Sequence, residues 1–294
     1  MERNANIDIL KFTLSFMVIA IHSHLLIETS PTINHLLENG ILRIAVPLFF
    51  IINGYYLFAF FNKNRLIGTW IKRVTELYLI WMIAYLPLYI PSALNAKSIY
   101  HFIVTLVFGY HHLWYIAGLF GSGLLLYYLK QKSDIVIFCL SLSLFAIGVT
   151  LQYASLYCTY ENTTIQKILS NYWIYRNFLF FGFPFLSIGY LINKKDLATN
   201  ISKKLLTIGI LLSAFLIAIE IFINFDREPH TKSIDFYFTF IIFCPLTFIL
   251  IANNKHKLKT DYLSKSASAI YFTHPFFIFL LKTQTPIQNG TLLF

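Results

Sequence analysis

Charge is what this chain of 294 residues has least of: Asp, Glu, Lys and Arg together make up 12%, about half their share in an ordinary soluble domain. With 57% hydrophobic residues and a mean hydropathy of +0.65, too few polar side chains exist to cover a globular surface, which excludes a soluble domain. Cysteine is scarce as well. The three, Cys139, Cys158 and Cys244, lie in or beside apolar runs without metal-ligand spacing. An odd, scattered set argues against a disulfide framework and lends thiol catalysis no support, and no metal site is expected. Acidic residues are the rarer sign, 13 against 23 cations for a net charge of +10. The excess does not run along one groove but falls in short segments between apolar runs, so nucleic acid is not an expected partner. No internal repeat or low-complexity tract is visible, and neither a cleavable leader nor an appended soluble domain is expected.

What is present is a series of apolar runs, at about 8–26, 41–61, 74–92, 113–129, 134–153, 174–192, 205–224, 234–252 and 267–283. Their lengths predict an all-α polytopic bundle of about nine to ten transmembrane helices, forming one domain over 1–294. A shorter apolar piece near 102–110 reads as re-entrant or interfacial. Basic residues mark one side: Arg3 and Lys11, then Lys63, Arg65, Lys72 and Arg73, then Lys130 and Lys132, then Lys194, Lys195, Lys203 and Lys204, then Lys255, Lys257, Lys259 and Lys265, sixteen of the 23. The positive-inside rule makes that side the cytoplasm and puts the amino terminus there. The opposite segments, near 27–40, 93–112, 154–173 and 225–233, are the natural approach for an extracytoplasmic partner.

The first run, Ile7 to Leu26, carries Asp8, Lys11 and His22, and ionisable groups at membrane depth are expensive. Asp8, Lys11, Ser15, Val18 and His22 step by three and four, so they share one stripe, and Lys11 and His22 are separated by about 16 Å of helix rise. That stripe is expected to face protein or a water-filled cavity. Two readings stand: a snorkelling Lys11 neutralised by Asp8 with a structurally satisfied His22, or a working site.

Other stretches carry chemistry under the same ambiguity. Pro47 lies inside an apolar run, where it is expected to kink the helix, and Asn53-Gly54 adds an amide on a flexible backbone. Lys72-Arg73 obeys the positive-inside rule or holds the phosphates of a cytosolic donor. His111-His112 followed by Trp114-Tyr115 forms a membrane belt or a platform for a sugar ring. Arg176 snorkels to an interface or supplies a cation to an oxyanion or phosphate. His274, before Pro275 in an apolar run, is a hydrogen-bonded structural residue or part of a site.

Taken in order, IDILKF, IAIH, VPLFFIINGYYLF, KRVTELYLIW, HLWYIAGL, RNFLFFGFPFLSIGYLI and AIYFTHP, from about Ile7 to Pro275, resemble acyltransferase family 3 of membrane-bound acyltransferases. That family shows Arg, ten residues, then His in its first helix, where this chain has Lys11, ten residues, then His22. Lysine keeps the charge but lacks the bidentate fork. The family usually has ten spans with both ends inside; nine are counted here, which leaves either a final span missing or the 102–112 segment undercounted.

The resemblance implies an enzyme of the bacterial inner membrane that takes an acetyl group from cytosolic acetyl-coenzyme A and places it on a hydroxyl of an extracytoplasmic glycan or glycolipid. O-antigen, capsule, exopolysaccharide and peptidoglycan precursors are the expected acceptors. Acyl transfer needs a base, an oxyanion stabiliser and an anchor for the donor. On that reading His22, Lys11, Asp8 and Arg176 are the catalytic candidates, Lys11, Lys72, Arg73 and Asn53 bind the donor, and His112, Trp114, Tyr115 and His274 bind the acceptor. An amino-acid transporter of the same fold, or an acyltransferase acting on a small amine or amino acid, are the alternatives. The sequence leaves the oligomeric state, monomer or homodimer, open.

Overall fold

The computed structural model describes residues 4–23, 30–62, 66–91, 95–158, 163–227, 233–254 and 261–284. Among them every regular element is helical. The α-helices in chain order are α1 (Ala5–Ser23), α2 (Pro31–Glu38), α3 (Ala45–Asn62), α4 (Ile67–Tyr89), α5 (Ala96–Phe108), α6 (Trp114–Leu129), α7 (Asp134–Tyr157), α8 (Thr163–Leu169), α9 (Phe183–Lys194), α10 (Leu197–Asn200), α11 (Lys203–Arg227), α12 (Phe240–Asn253) and α13 (Tyr262–Gln284). Five stretches are long and apolar enough to cross a membrane: Ala5–Ser23, Thr32–Asn62, His111–Leu129, Asp134–Tyr157 and Lys203–Phe225. α4 and α13 have the length, 23 residues each, but are not apolar enough to join them. α5, α12 and the run Phe178–Lys194 are apolar and shorter.

Two expectations about helix ends change. Pro47 does not kink an established helix: it falls in the first turn of α3, just after the 3-10 turn Ile41–Ile44, where a missing N–H is least costly. The apolar run at 234–252 is helical only from Phe240, because neighbouring side chains take the backbone N–H groups of the preceding segment.

The described residues form two compact units, 1–49 with 201–294, and 50–200. In the first, α1 packs along α13, and a polar network ties distant segments together. Arg43 donates to the Asp235 carboxylate at 2.6 Å, to the Glu38 carbonyl at 2.7 Å and to the Asn39 side-chain oxygen at 3.2 Å. That same Asn39 oxygen accepts from the Ile234 N–H at 3.1 Å, and the Asn39 carbonyl accepts from the Tyr237 hydroxyl. Glu220 of α11 takes the N–H groups of Phe238 and Thr239 and the Thr239 hydroxyl, at 2.7, 3.1 and 2.7 Å. A carboxylate there satisfies donors at the start of α12 and complements its dipole.

The second unit is held by rings and close backbones. Phe50 contacts Tyr115 and Phe181 at centroid distances of 4.7 and 5.9 Å, and Phe185 bridges Phe181 and Phe145 at 5.5 and 5.2 Å. Gly54 of α3 and Gly189 of α9 let the two backbones meet: a Cβ on Gly54 would strike the Leu186 carbonyl, and one on Gly189 the Ile51 carbonyl. Small residues at such crossings let van der Waals contact do the work that the hydrophobic effect does in water. Asn53-Gly54, read as a flexible spot, is thus tightly packed. Ser141 of α7 and Ser187 of α9 share a buried hydroxyl contact at 2.5 Å.

Candidate functional site

The polar stripe of α1 turns inward within the first unit. Asp8 is 2% exposed, Ser15 and Val18 are buried, and Lys11 and His22 are half-buried, whereas Ile9 and Phe16 lie on the exposed face. Lys11 reaches Ser264 of α13, Nζ to Oγ 3.5 Å. About three turns further along, the His22 ring stacks on that of His274, centroids 5.4 Å apart and planes 22° from parallel. The structure therefore brings together two histidines that the sequence singled out separately.

The neighbouring proline explains how His274 is held. Pro275 lies inside α13 and has no N–H, so the carbonyl four residues before it, that of Tyr271, loses its helical donor. His274 Nδ1 occupies that carbonyl at 2.7 Å. A carbonyl can only accept, so Nδ1 carries the hydrogen, and in the neutral ring Nε2 is the basic nitrogen. His274 is 3% exposed, and Tyr271 packs on it with centroids 6.1 Å apart. The His-Pro pair is thus a device for fixing one tautomer and one orientation of a buried imidazole.

A second constellation lies in the other unit. α5 ends at Gly109, whose φ of +92° and whose contact with the Leu113–Trp114 backbone both require glycine. His111 follows at φ +46°, and the turn aims Trp114 into a cleft lined by Val104, Thr105, Phe108, Gly109, His111, Tyr172, Trp173 and Arg176 as well. The cleft is narrow, with about 40 Å³ of room within it. Arg176 lies between two rings, its guanidinium carbon 5.1 Å from the Trp114 centroid and 4.2 Å from that of Tyr172. Asn177 pins this segment: its amide donates to the Trp173 and Ile174 carbonyls at 3.1 and 2.8 Å, and its oxygen accepts from the N–H groups of Leu179 and Phe180 at 2.9 and 3.0 Å. A π-helical turn, Phe178–Gly182, leads on into α9.

The remaining candidates have clear positions. His112 is buried edge-on against Tyr85, 5.2 Å between centroids, and its neighbour His111 lines the cleft. Tyr115 is buried, and its hydroxyl accepts from the Asn53 amide at 2.7 Å. Lys72 and Arg73 are exposed near the start of α4, Lys72 lying 3.8 Å from Glu76. Sequence reasoning did not single out Tyr172 and Trp173, although the run Tyr172-Trp173-Ile174-Tyr175-Arg176 concentrates rings beside a cation. It also passed over Arg43 and Asp235, whose pairing spans 192 positions. Among the described residues no group of three or more His, Cys, Asp or Glu side chains could hold a metal ion.

Comparison with known proteins adds a family match. Residues 4–294 match the family model of an acyltransferase domain, acyltransferase family 3. An amino-acid racemase of Enterococcus faecalis is 24% identical over 316 aligned positions, which cover 100% of this chain and 44% of that protein. A serine/alanine racemase of Enterococcus gallinarum is 29% identical over 312 positions, covering 98% of this chain and 43% of the relative. The chain thus spans less than half the length of these curated relatives. No solved structure is similar at a significant level.

Proposed function

We propose that this chain, which belongs to acyltransferase family 3, transfers an acetyl group from acetyl-coenzyme A to a hydroxyl of an extracytoplasmic glycan or glycolipid, with His22 as general base. The observation that carries the reading is the His22–His274 stack on a buried polar stripe that also holds Lys11, inside a chain matched by the family over nearly its whole length. An imidazole titrates near neutrality and suits proton transfer to and from oxygen and sulfur. The acceptor oxygen attacks the thioester carbonyl carbon while His22 takes its proton. The tetrahedral intermediate then collapses, the C–S bond breaks, and the imidazolium returns the proton to the coenzyme A thiolate. His274, with its tautomer fixed, supports His22 across the stacked face, and Lys11 supplies positive charge on the same stripe. Lys72 and Arg73, exposed on α4, are suited to the donor's phosphates. In this proposal the protein lies in the bacterial inner membrane with its basic segments in the cytoplasm, consistent with the positive-inside pattern.

The test is turnover of labelled acetyl-coenzyme A by protein in nanodiscs. His22→Ala is expected to reduce release of free coenzyme A by at least about a hundredfold, the range in which loss of a general base falls, while monodispersity and thermal stability stay close to wild type. Undiminished turnover in His22→Ala would remove its catalytic role. A second reading comes from the relatives named as amino-acid and serine/alanine racemases: the membrane part moves or acylates an amino acid. Accumulation of labelled serine in vesicles without consumption of acetyl-coenzyme A would favour transport over transfer.

A further inference from the structure

The second unit holds a cluster of charge that the acyl-transfer step does not use, where the turn from α6 to α7 meets the end of α9. Asp134, the first residue of α7, places one carboxylate oxygen 2.6 Å from Lys194 Nζ and the other 2.7 Å from Lys195 Nζ. One carboxylate thus draws two ammonium groups together and can neutralise only one of them. The Lys194 and Lys195 side chains stay 30% and 55% exposed, so both still offer N–H groups outward. The same turn carries Lys130 and Lys132. The second carboxylate here, Asp196, accepts from the Thr199 hydroxyl at 2.6 Å. Over 130–134 and 194–196, four ammonium groups stand against two carboxylates, which leaves positive charge in excess.

Rings join these cations into one ledge. Lys130 Nζ lies 4.0 Å from the Tyr127 centroid and 5.0 Å from that of Phe61, and Phe61 packs on Tyr127 and Tyr190 at 5.6 and 6.3 Å. Tyr190 in turn lies 6.0 Å from Lys194 Nζ. A cation–π contact holds an ammonium in place and leaves its outer N–H groups for an anion. What borders the ledge decides the class of that anion. Tyr128, 75% exposed, lies on one side of the turn, and directly after Asp134 the open face of α7 begins, with Ile135 69% and Phe138 43% exposed. A soluble phosphate would use the cations alone, whereas a phosphodiester that carries acyl chains uses both the cations and the apolar face.

From this we infer that the ledge binds the headgroup of an anionic phospholipid, its phosphate on Lys130, Lys132, Lys194 and Lys195 and its chains along Ile135 and Phe138 of α7. The charge pattern predicts the cytoplasmic side for these segments, and the cytoplasmic leaflet is the one that presents anionic headgroups. A lipid held there ties the turn between α6 and α7 to the end of α9. The inference stands whether or not the chain transfers acetyl groups.

The experiment is native mass spectrometry of the full chain in a neutral detergent, titrated with dioleoyl phosphatidylglycerol and, separately, with dioleoyl phosphatidylcholine. The two lipids share their chains and differ in headgroup charge. The first phosphatidylglycerol is expected to bind about tenfold more tightly than phosphatidylcholine, the scale of a few basic side chains acting on one headgroup. Lys194→Gln with Lys195→Gln should lower that preference to about twofold. So should Lys130→Gln with Lys132→Gln, which breaks no ion pair among the described residues. Lys203→Gln with Lys204→Gln removes as much charge from exposed positions at the start of α11 and should leave the preference as it was. Excess coenzyme A should leave the bound lipid in place. Equal affinity for the two lipids, a preference retained in either ledge variant, an equal loss in the Lys203 and Lys204 variant, or displacement by coenzyme A would overturn the inference.

Discussion

The two units of this chain solve the same problem with opposite chemistry. In the first, helices and loops are tied by buried polar groups: Arg43 with Asp235, Asn39 with Tyr237 and Ile234, Glu220 with the start of α12, His22 with His274. In the second, the main ties are tilted ring contacts around Phe50 and Phe181 and the mutual backbone contact at Gly54 and Gly189, with Ser141–Ser187 and Asn53–Tyr115 as the polar exceptions. A lipid environment gives helices little hydrophobic reason to associate, so either hydrogen bonds or close packing must set their register. Hydrogen bonds are directional and fail when one partner goes. Close packing fails when volume is added. The difference teaches which mutations each unit resists.

The largest expected effect follows from breaking the first kind of tie. Arg43 and Asp235 have side chains only 14% and 8% exposed, and Asp235→Ala would strand the guanidinium. A loss of about 3–5 kcal/mol is expected, the usual cost of orphaning a buried ion-pair partner, read as a fall in thermal midpoint by far-ultraviolet circular dichroism. Replacing both residues by Leu and Met should recover most of it, since an absent pair costs less than a broken one. A double variant no better than the single would show that the network holds more than this pair.

Adding a methyl group in the second unit comes next. Gly54→Ala places a Cβ against the Leu186 backbone, which no side-chain rotation relieves, and about 1–3 kcal/mol of overpacking is expected in the same assay. An unchanged midpoint would mean that α3 and α9 can part without penalty, and the contrast between the units would weaken. The smallest effect on stability, and the most informative, is Pro275→Ala. It restores an N–H that competes with His274 Nδ1 for the Tyr271 carbonyl, so coenzyme A release should fall several-fold with little change in midpoint. Full activity in that variant would separate the tautomer from the chemistry.

Much of the helical layout was legible in the sequence because apolar length and the three-and-four spacing of Asp8, Lys11, Ser15, Val18 and His22 report directly on membrane depth and facing. Individual residues stood out where they broke the apolar pattern, as His274 and Arg176 did. Their partners did not. The His22–His274 stack and the Arg43–Asp235 pair join positions that no local periodicity connects. The late start of α12 depends on Glu220, one helix earlier in the chain. The role of Pro275 was hidden for another reason: a proline in an apolar run signals a freed carbonyl, and only geometry says which donor takes it.

The π turn at Phe178–Gly182 has a further consequence for how this protein can change over generations. Such a turn holds more residues per revolution than an α turn. Deleting one residue there would restore ordinary helix and swing everything upstream by about 100° around the axis of α9. The arginine held by Trp114 and Tyr172 and the glycine contact with α3 depend on opposite ends of that turn, so they could not both keep their partners. Substitutions along 178–182 are limited by the burial of Phe181 and the close contacts at Gly182, and a change of length would displace every contact at once. In any lineage that keeps both features, this segment is a ruler whose divisions are fixed even where its letters drift.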